Sequence, residues 1–275
     1  MGEIVAGFGM PHAPNFPALV AREGPQCEVA RLYGAVADHL AAAAPDVLIV
    51  FTDDHFNTFF LDNFPTFAIG IAARTAGPND QTSMPHYEVA VPSALAAHIR
   101  SSAIARGFDI ALVQDFNVDH AVMVPLHFLT PDMKIPVLPI FINCLVPPLP
   151  AARRCHALGE TVRTAVEAWP EPLRVAVIGS GSFSLEIGGP KVPPGNRAAG
   201  FPDPQWTKEV QELLVQGRIG DLIERATTAR MLQAGNIGGE LLDWIAMLGV
   251  IGARKPNAIL SHADHGHAFG VWCWS

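Results

Sequence analysis

The strongest constraint on the fold is the alternation of short apolar runs with alanine-rich stretches along most of the chain. The short runs have the length and β-branched content of strands, and the longer stretches carry apolar residues at helical spacing. The strand-like runs are 3–8, 46–52, 66–72, 109–114, 137–142 and 174–178, and the helical stretches are 28–44, 93–106 and 153–168. This order predicts an α/β fold with a central mixed sheet flanked by helices.

The last third of the chain departs from this alternation. Residues 190–204 are rich in Pro and Gly and predict a long loop, and residues 205–248 predict a helical C-terminal section. Two further runs, 258–260 and 268–272, return to strand-like composition. No segment has the composition of an interdomain linker, so we expect residues 1–275 to form a single domain.

Composition excludes several classes of function. Hydrophobic residues make up 49% of the chain and charged residues 16%, which is typical of a globular protein. Lys and Arg number 18 against 26 Asp and Glu, and the net charge of −8 disfavours nucleic acid as a partner. The longest apolar runs have strand length, so no membrane segment is expected. Four scattered cysteines with no CxxC pair predict a reducing, cytoplasmic location.

Three histidines closely follow predicted strands. His12 follows the first strand, His55 ends an apolar run in the order Thr-Asp-Asp-His, and His120 comes after the run 109–114. In open α/β sheets, ligands bind beyond the carboxyl ends of the strands. A single histidine is more often a packed or solvated residue than a ligand. Three of them at strand ends favour a common site.

Glu240 is the fourth candidate, set between paired glycines and an apolar helical stretch. It is either an ordinary first-turn residue that interacts with the helix dipole or a metal ligand. Two imidazoles and one carboxylate form the facial triad of non-haem Fe(II) oxygenases, which leaves positions open for a substrate and O₂. Both interpretations of Glu240 remain open from the residues alone.

Several segments carry a family resemblance through most of the chain. They are the loop around His12, the strand end Thr52-Asp53-Asp54-His55, and residues 64–70, 118–126, 155–159 and 238–241. As a set, they resemble the class III extradiol ring-cleavage dioxygenases, the group typified by the large subunit of protocatechuate 4,5-dioxygenase.

The resemblance implies a chemistry and a set of site residues. Carried over position by position, it makes His12, His55 and Glu240 the ligands of Fe(II) and places His120 near the bound O₂ or substrate oxygen. The reaction it implies is the opening of a catechol-like, gallate-like or aminophenol-like ring with O₂. Some relatives pair with a small helical subunit. A chain of 275 residues has no room for a fused copy, so we expect a homo-oligomer, a separate small subunit, or both.

One position departs from the family pattern. Members usually carry a catalytic histidine in a pattern like Gly-Gly-(Leu/Met)-Ser-His, and Leu185 stands at that place here. Three interpretations follow. The first is a dioxygenase in which His120 or a C-terminal histidine is the catalytic base, or in which the substrate is acidic enough to need none. The second is the same metal site used for hydrolysis or decarboxylation, and the third is a metal-binding accessory subunit. General acid–base assistance contributes about 10²–10⁴-fold, so its loss would slow ring cleavage without abolishing metal or substrate binding.

The C-terminal histidine cluster is our candidate for the missing proton relay. His265 or His267 would fill that role, with an exposed polar turn as the alternative. Glu186 is expected to be a surface or loop carboxylate instead, because alternation along an extended segment turns it away from the wall that Leu185 lines. Two further expectations concern the substrate: Phe56, Phe59, Phe60 and Phe64 form either a ring-stacking wall or core, and Arg197 or Lys191 binds a substrate carboxylate.

Overall fold

The computed structural model describes residues 1–81, 83–192 and 199–274. The strands are β1 (Gly2–Met10), β2 (Val47–Thr52), β3 (Phe67–Gly70), β4 (Arg74–Gly77), β5 (Tyr87–Ala90), β6 (Ala111–Val113), β7 (Val137–Ile142), β8 (Leu173–Ser180), β9 (Glu186–Ile187), β10 (Ala199–Gly200), β11 (Ala258–His262) and β12 (His267–Cys273). The helices are α1 (Phe16–Glu23), α2 (Glu28–Ala43), α3 (Ser93–Ala105), α4 (His120–Leu129), α5 (Ala152–Glu167), α6 (Pro204–Gln216), α7 (Ile219–Arg225), α8 (Thr228–Gln233) and α9 (Leu241–Ile251).

Eight strands form the central sheet, in the order β11-β12-β1-β8-β2-β7-β3-β6. The four middle strands, β1, β8, β2 and β7, run parallel to one another. Strand β3 is antiparallel to β7, and at the other side β12 is antiparallel to β1 and β11 to β12. The predicted α/β fold with a central mixed sheet flanked by helices is therefore confirmed.

The two faces of the sheet carry separate apolar clusters because successive side chains of a strand point to opposite faces. In β2, Ile49 and Phe51 belong to the cluster that α3, α5 and α9 cover, whereas Leu48 and Val50 belong to the cluster under α2 and α4. All six residues of β2 are buried. Its unbroken apolar sequence is thus explained by helices on both sides.

Most predicted elements are found within two or three residues of their expected bounds. Sequence analysis missed α1, α4 and the small strand pairs β4–β5 and β9–β10. The loop expected at 190–204 contains β10, and its residues 193–198 lie outside the part of the chain that the structure describes. None of the described helices is long and apolar enough to cross a membrane.

Candidate metal centre and substrate pocket

The candidate residues lie where the parallel strands end. Strands β1 and β8 end together, with Met10 paired to Ser180, and β2 ends beside them at Thr52. His12 and His55 follow directly, and their ring centroids are 5.3 Å apart. The predicted meeting of strand-end histidines at one edge of the sheet is thus what the fold produces.

The orientation of His12 is set by a hydrogen-bond chain. Ser180 Oγ donates its only proton to the carbonyl oxygen of Ala121 at 2.7 Å, and it lies 2.9 Å from Nδ1 of His12. Ser180 Oγ must therefore accept the Nδ1 proton of the imidazole. In the neutral ring, Nε2 then presents a lone pair towards the site.

Asp119 sets His55 in the same way. Its Oδ2 lies 3.1 Å from Nδ1 of His55 and 2.7 Å from the backbone nitrogen of His55, and its Oδ1 caps helix α4 by accepting from the backbone N–H of Ala121. A carboxylate can only accept, so Nδ1 of His55 donates and Nε2 carries the lone pair. Burial opposes ionisation of Asp119, but the bonds and charge of His55 outweigh it and hold its pKa well below the usual range.

Glu240 reaches the site from the turn before α9. Its side chain is buried, and Oε2 accepts a hydrogen bond from the backbone N–H of Ser182 at 2.6 Å. The approach requires a glycine opposite, because a Cβ on Gly181 would lie 2.6 Å from the Cβ of Glu240. The glycine-rich stretch after β8 therefore leaves room for Glu240 to pack against it. Oε1, the second carboxylate oxygen, has no hydrogen-bond partner.

Three ligand atoms meet at one point. Oε1 of Glu240 lies 3.3 Å from Nε2 of His12 and 3.8 Å from Nε2 of His55. With both imidazoles neutral, these atoms are a lone pair on each ring and a carboxylate oxygen, so the arrangement gathers three hydrogen-bond acceptors. A cation contacting all three satisfies such a set, and ligand bonds of about 2.0–2.2 Å match the separations. The donor set, two imidazoles and a carboxylate, fits the metal that the sequence predicted.

Without a cation, the buried imidazoles and carboxylates of this site shift one another's pKa values. Burial lowers the pKa of His12 and of His55, but the neighbouring carboxylates outweigh burial and raise both. Burial raises the pKa of Glu240, but the two imidazoles outweigh it and lower the pKa to about 2. For Asp53, burial dominates and raises the pKa to about 7. These shifts follow from confining several ionisable groups in one buried volume.

The two aspartates before His55 have different surroundings. Asp54 accepts backbone N–H bonds from Asn57, Thr58 and Phe59, each at 3.0 Å to its nearest carboxylate oxygen, and thereby shapes the loop after β2. Asp53 is fully buried, and neither of its oxygens has a hydrogen-bond partner. Its Oδ2 lies 3.5 Å from Nε2 of His55. Asp54 is thus structural, whereas Asp53 faces the cluster.

His120 lies beside the cluster as the first residue of α4. Its ring centroid is 4.3 Å from that of His55 and 5.4 Å from that of His12. Nδ1 is hydrogen-bonded to the carboxylate of Asp80, which also accepts the backbone N–H of His120 at 3.1 Å. Burial lowers the pKa of His120 despite Asp80, so the ring is neutral near pH 7 with its proton on Nδ1. Nε2 is then free to accept a proton.

A cavity of about 710 Å³ opens onto these residues, a size typical of a small-molecule site. Its apolar lining includes Phe16, Leu19, Leu185, Ile187 and Phe201. The aromatic residues proposed as a stacking wall at positions 56, 59, 60 and 64 are not among its lining residues. Phe59 instead packs edge-on against Phe141, and Phe60 is exposed. The ring-stacking interpretation of this segment is therefore wrong, because the loop turns its aromatic side chains away from the pocket.

The C-terminal histidines line the same cavity. His262, His265 and His267 all face it, and Nδ1 of His262 lies 2.6 Å from Nε2 of His267. Burial lowers the pKa of His262 and lowers that of His267 strongly, so this pair is neutral near pH 7. Nε2 of His262 lies 3.6 Å from a carboxylate oxygen of Glu28 at the pocket mouth. The cluster thus links the mouth to the interior.

The same hairpin is fixed against the segment that carries Leu185. The carbonyl oxygen of Gly266 accepts backbone N–H bonds from Phe183 at 2.7 Å and Ser184 at 2.9 Å. A Cβ on Gly266 would lie 1.8 Å from the carbonyl oxygen of Ser184, so the two backbones are in direct contact. Leu185 and the C-terminal histidines consequently border one cavity.

Three further expectations concern residues near the pocket. Glu186 is buried and accepts the backbone N–H of Asn236 at 2.8 Å, so the expectation of a surface or loop carboxylate is wrong. Lys191 donates to the carbonyl oxygens of Leu232 and Gln233 at the end of α8 and is not among the residues that line the cavity. Arg197 lies outside the described residues.

Sequence analysis missed the residues that orient the rings. Ser180 is an ordinary last residue of a strand, and Asp80 follows a Gly-Pro turn, so neither carries a signal of its own. The only available signal was for Asp119, since an aspartate directly before a helix is a favoured N-cap. Its second bond, to a ring 64 residues away, depends on the tertiary structure.

Comparisons with known proteins identify the family of this chain. The family described as the catalytic LigB subunit of aromatic ring-opening dioxygenase matches residues 6–272. A protein of Cupriavidus pinatubonensis named 2,3-dihydroxyphenylpropionate/2,3-dihydroxicinnamic acid 1,2-dioxygenase is 30% identical over 83% of this chain and 83% of its own length. A gallate dioxygenase of Pseudomonas putida is 30% identical over 59% of this chain and 46% of its own length.

A solved structure shares the fold. It is that of the uncharacterized protein JW3007 from Escherichia coli K12, which superposes with a TM-score of 0.62 over 97% of this chain and 99% of that one. The two sequences are 16% identical, so the likeness concerns the fold alone.

Proposed function

Because this chain belongs to the LigB family of aromatic ring-opening dioxygenase catalytic subunits, we propose that it binds Fe(II) and opens a catechol-like, gallate-like or aminophenol-like ring with O₂. Relatives named as ring-cleaving dioxygenases support the reaction class. The observation that carries the proposal is that Nε2 of His12, Nε2 of His55 and Oε1 of Glu240 converge where all three residues line the cavity. These three residues are the proposed ligands.

Fe(II) bound there would hold the two ring oxygens and let electrons pass between the ring and O₂. The chain's own residues would position the ring and manage its protons. Phe16, Leu19 and Phe201 supply the apolar surface against which a flat ring packs. The cavity walls also limit access of water to the reacting carbons.

His120 is the proposed base for a ring hydroxyl. Its Nε2 carries a lone pair because Asp80 holds the proton on Nδ1, and burial keeps the ring neutral near pH 7. A proton from a ring hydroxyl would move to Nε2, and the resulting imidazolium would be stabilised by the Asp80 carboxylate. Asp80 acts in this scheme as a positioning residue.

His265 or His267 is proposed to supply the proton relay that Leu185 lacks. Support comes from the pairing of His267 with His262, which continues to Glu28 at the pocket mouth. Of the two candidates, His267 is the better placed, because its ring is buried beside Phe16. Its contact with His262, and that of His262 with Glu28, connect it to the pocket mouth. A proton that enters at the pocket mouth could reach the cavity along this chain of side chains.

We also propose assembly and location. A homo-oligomer, with or without a separate small helical subunit, is supported by the exposed side chains of Phe56, Phe60 and Leu61 on the loop after β2. A cytoplasmic location is supported by four cysteines that are all unpaired. A single domain spanning residues 1–275 is supported by the family match over 6–272.

Reconstitution with Fe(II) under anaerobic conditions, followed by oxygen-electrode measurements with catechols, gallates and aminophenols, tests this function. O₂ uptake coupled to a yellow ring-opened product supports it. Metal binding without uptake for any of these substrates would instead support an accessory subunit. A product formed without O₂ would point to a hydrolase or decarboxylase, the alternative that Leu185 keeps open.

A further inference from the structure

Asp53 is a buried carboxylate without a hydrogen-bond partner, and the only basic groups that face it in the described part of the chain are the imidazoles of His12 and His55. Both oxygens are without hydrogen-bond partners, and the side chain is fully buried. Isolating a carboxylate in this way carries a large desolvation cost, so such groups in folded proteins are paired or coordinate a metal. Among the described residues, no Lys or Arg forms an ion pair with it, and its only charged contacts within 4.0 Å are His12 and His55.

These contacts are with the atoms that face the proposed metal. Oδ2 of Asp53 lies 3.5 Å from Nε2 of His55, and Oδ1 lies 4.0 Å from Nε2 of His12. Both nitrogens carry lone pairs in the neutral rings, because Nδ1 of each ring donates elsewhere. Neutral imidazoles in this tautomer therefore cannot donate to Asp53, and the acceptor set at this point grows by a second carboxylate.

One ion can contact the whole set. A ligand atom from each of His12, His55, Glu240 and Asp53 lies within 4.8 Å of the others. Two ligands of one ion at about 2.1 Å each stand no more than about 4.2 Å apart. The distance from Oδ2 of Asp53 to His55 and that from Oδ1 to His12 both fall within that limit. The neighbouring Asp54 is excluded, since three backbone N–H groups occupy its oxygens.

We propose that Asp53 is a fourth side-chain ligand of the ion at this site, which makes the set two imidazoles and two carboxylates. The inference rests on the metal site of the proposed function. Two carboxylates neutralise a divalent ion, whereas the facial triad leaves one positive charge. A six-coordinate ion then keeps two open positions instead of three. Asp53 would therefore occupy one of the three positions that the facial triad leaves open, and it would have to leave for a ring with two donor oxygens and O₂ to bind together.

Asp53→Asn tests this inference, and Asp243→Asn is the matched control. Asp243 is also fully buried with an unpartnered oxygen, and it is not in the group of ligand atoms around His12 and His55. Both substitutions replace a buried carboxyl group of the same region with an amide of nearly the same shape. Only the first removes a proposed ligand. Co²⁺ serves as the probe, because its visible absorption depends on the number and geometry of its ligands.

We expect Asp53→Asn to weaken Co²⁺ binding, measured by competition with a chromophoric chelator, about tenfold or more and to change the visible spectrum of bound Co²⁺. Asp243→Asn should keep the wild-type spectrum and change affinity less than about threefold. If both variants lose Co²⁺ affinity equally and the visible spectrum of bound Co²⁺ is unchanged, Asp53 is not a ligand. The site formed by His12, His55 and Glu240 would remain supported. Failure of the wild-type chain to bind Co²⁺ or Fe²⁺ would overturn both.

Folding is checked separately on metal-free protein. Removing an unpartnered buried carboxylate should leave the Tm of Asp53→Asn equal to or above that of the wild type. Asp53→Ala is the second variant, because it removes the oxygens altogether while leaving the backbone free to adopt the same conformation. A wild-type Co²⁺ spectrum in a folded Asp53→Ala protein would also contradict ligation.

Discussion

At the scale of single residues, function depends on which atom of each side chain is already engaged. Ser180 fixes Nδ1 of His12, Asp119 fixes Nδ1 of His55, and Asp80 fixes Nδ1 of His120. Each ring thereby turns its Nε2 lone pair towards the same cavity edge. The chemistry thus rests on hydrogen-bond partners that the sequence did not single out.

The first prediction concerns the pH profile that Asp80 sets. Burial lowers the pKa of His120, while the hydrogen bond with Asp80 raises it. Because the ring must be neutral to accept a proton, activity should fall as the pH drops through this pKa, which places the acid limb below pH 6.5. Asp80→Asn removes the raising contribution and should move that limb to lower pH while reducing kcat/KM about tenfold, measured over pH 5–8.

The exposed Asp132, which pairs only with Lys134 on the surface, provides the control. Asp132→Asn should leave the pH profile unchanged. An acid limb that stays in place or moves upward in Asp80→Asn would contradict the proposal that Asp80 raises the pKa of His120.

The second prediction concerns the proposed proton relay through His267. His267→Gln should lower kcat by about 10²-fold, because general acid–base assistance typically contributes about 10²–10⁴-fold. Leu185 borders the same cavity, so Leu185→His supplies an imidazole at the family position. The double variant should recover most of the lost kcat, while Leu185→His alone should change it little. Loss of kcat that Leu185→His fails to rescue would contradict a relay through His267.

At the scale of elements, the sequence predicted the sheet and the positions of its strand ends well. The apolar run 137–142 matches β7 residue for residue, because full burial on both faces leaves an unambiguous composition. Helix α4 was missed because Pro125 lies inside it and its sequence is apolar on every side, which removes the helical periodicity. The positions of His12 and His55 beyond strand ends also followed from the sequence. The assignment of Glu240 as a ligand needed the family resemblance.

The third prediction concerns the glycine that seats Glu240. A Cβ at position 181 would lie 2.6 Å from the Cβ of Glu240 and 2.8 Å from its carbonyl oxygen. Gly181→Ala should therefore lower the free energy of unfolding by about 1–3 kcal/mol and weaken metal binding, as the turn before α9 moves away. Denaturant titration and Co²⁺ competition measure the two effects.

Gly34→Ala is the matched control within helix α2, where nothing lies within 4 Å of the added carbon. It should stabilise the protein by about 0.5–1 kcal/mol and leave metal affinity unchanged. Unaltered metal affinity in Gly181→Ala would show that this glycine does not control the position of Glu240.

At the scale of the whole molecule, several buried carboxyl groups lie around the proposed metal site, and a divalent ion would neutralise part of their negative charge. Asp53, Glu240 and Asp243 are all buried, and the pKa of Asp243 is raised well above its usual value by burial and then by the other two. The metal-free protein therefore carries a stability cost that binding should relieve. Thermal unfolding should show a higher Tm with Fe²⁺ or Co²⁺ present, increasing with metal concentration.

The fourth prediction follows from the sign of the Asp243 shift. A carboxyl group whose pKa is higher in the folded than in the unfolded protein does not destabilise the fold below its unfolded pKa near 3.9. As the pH rises from there towards the folded pKa, the free energy of unfolding decreases. Asn mimics the neutral acid, so Asp243→Asn should raise the Tm of the metal-free protein more at pH 8 than at pH 4. An equal Tm difference at both pH values would contradict the assignment.

The most direct test of the central claim is single-turnover oxygen consumption by Fe(II)-loaded protein and its Glu240→Gln variant. The account predicts one bound Fe(II) per chain and one O₂ consumed per ring opened in the wild type, with both iron binding and O₂ uptake lost or strongly reduced in the variant. Equal iron binding and equal O₂ uptake by the two proteins would show that the acceptor cluster at the strand ends is not the site of reaction.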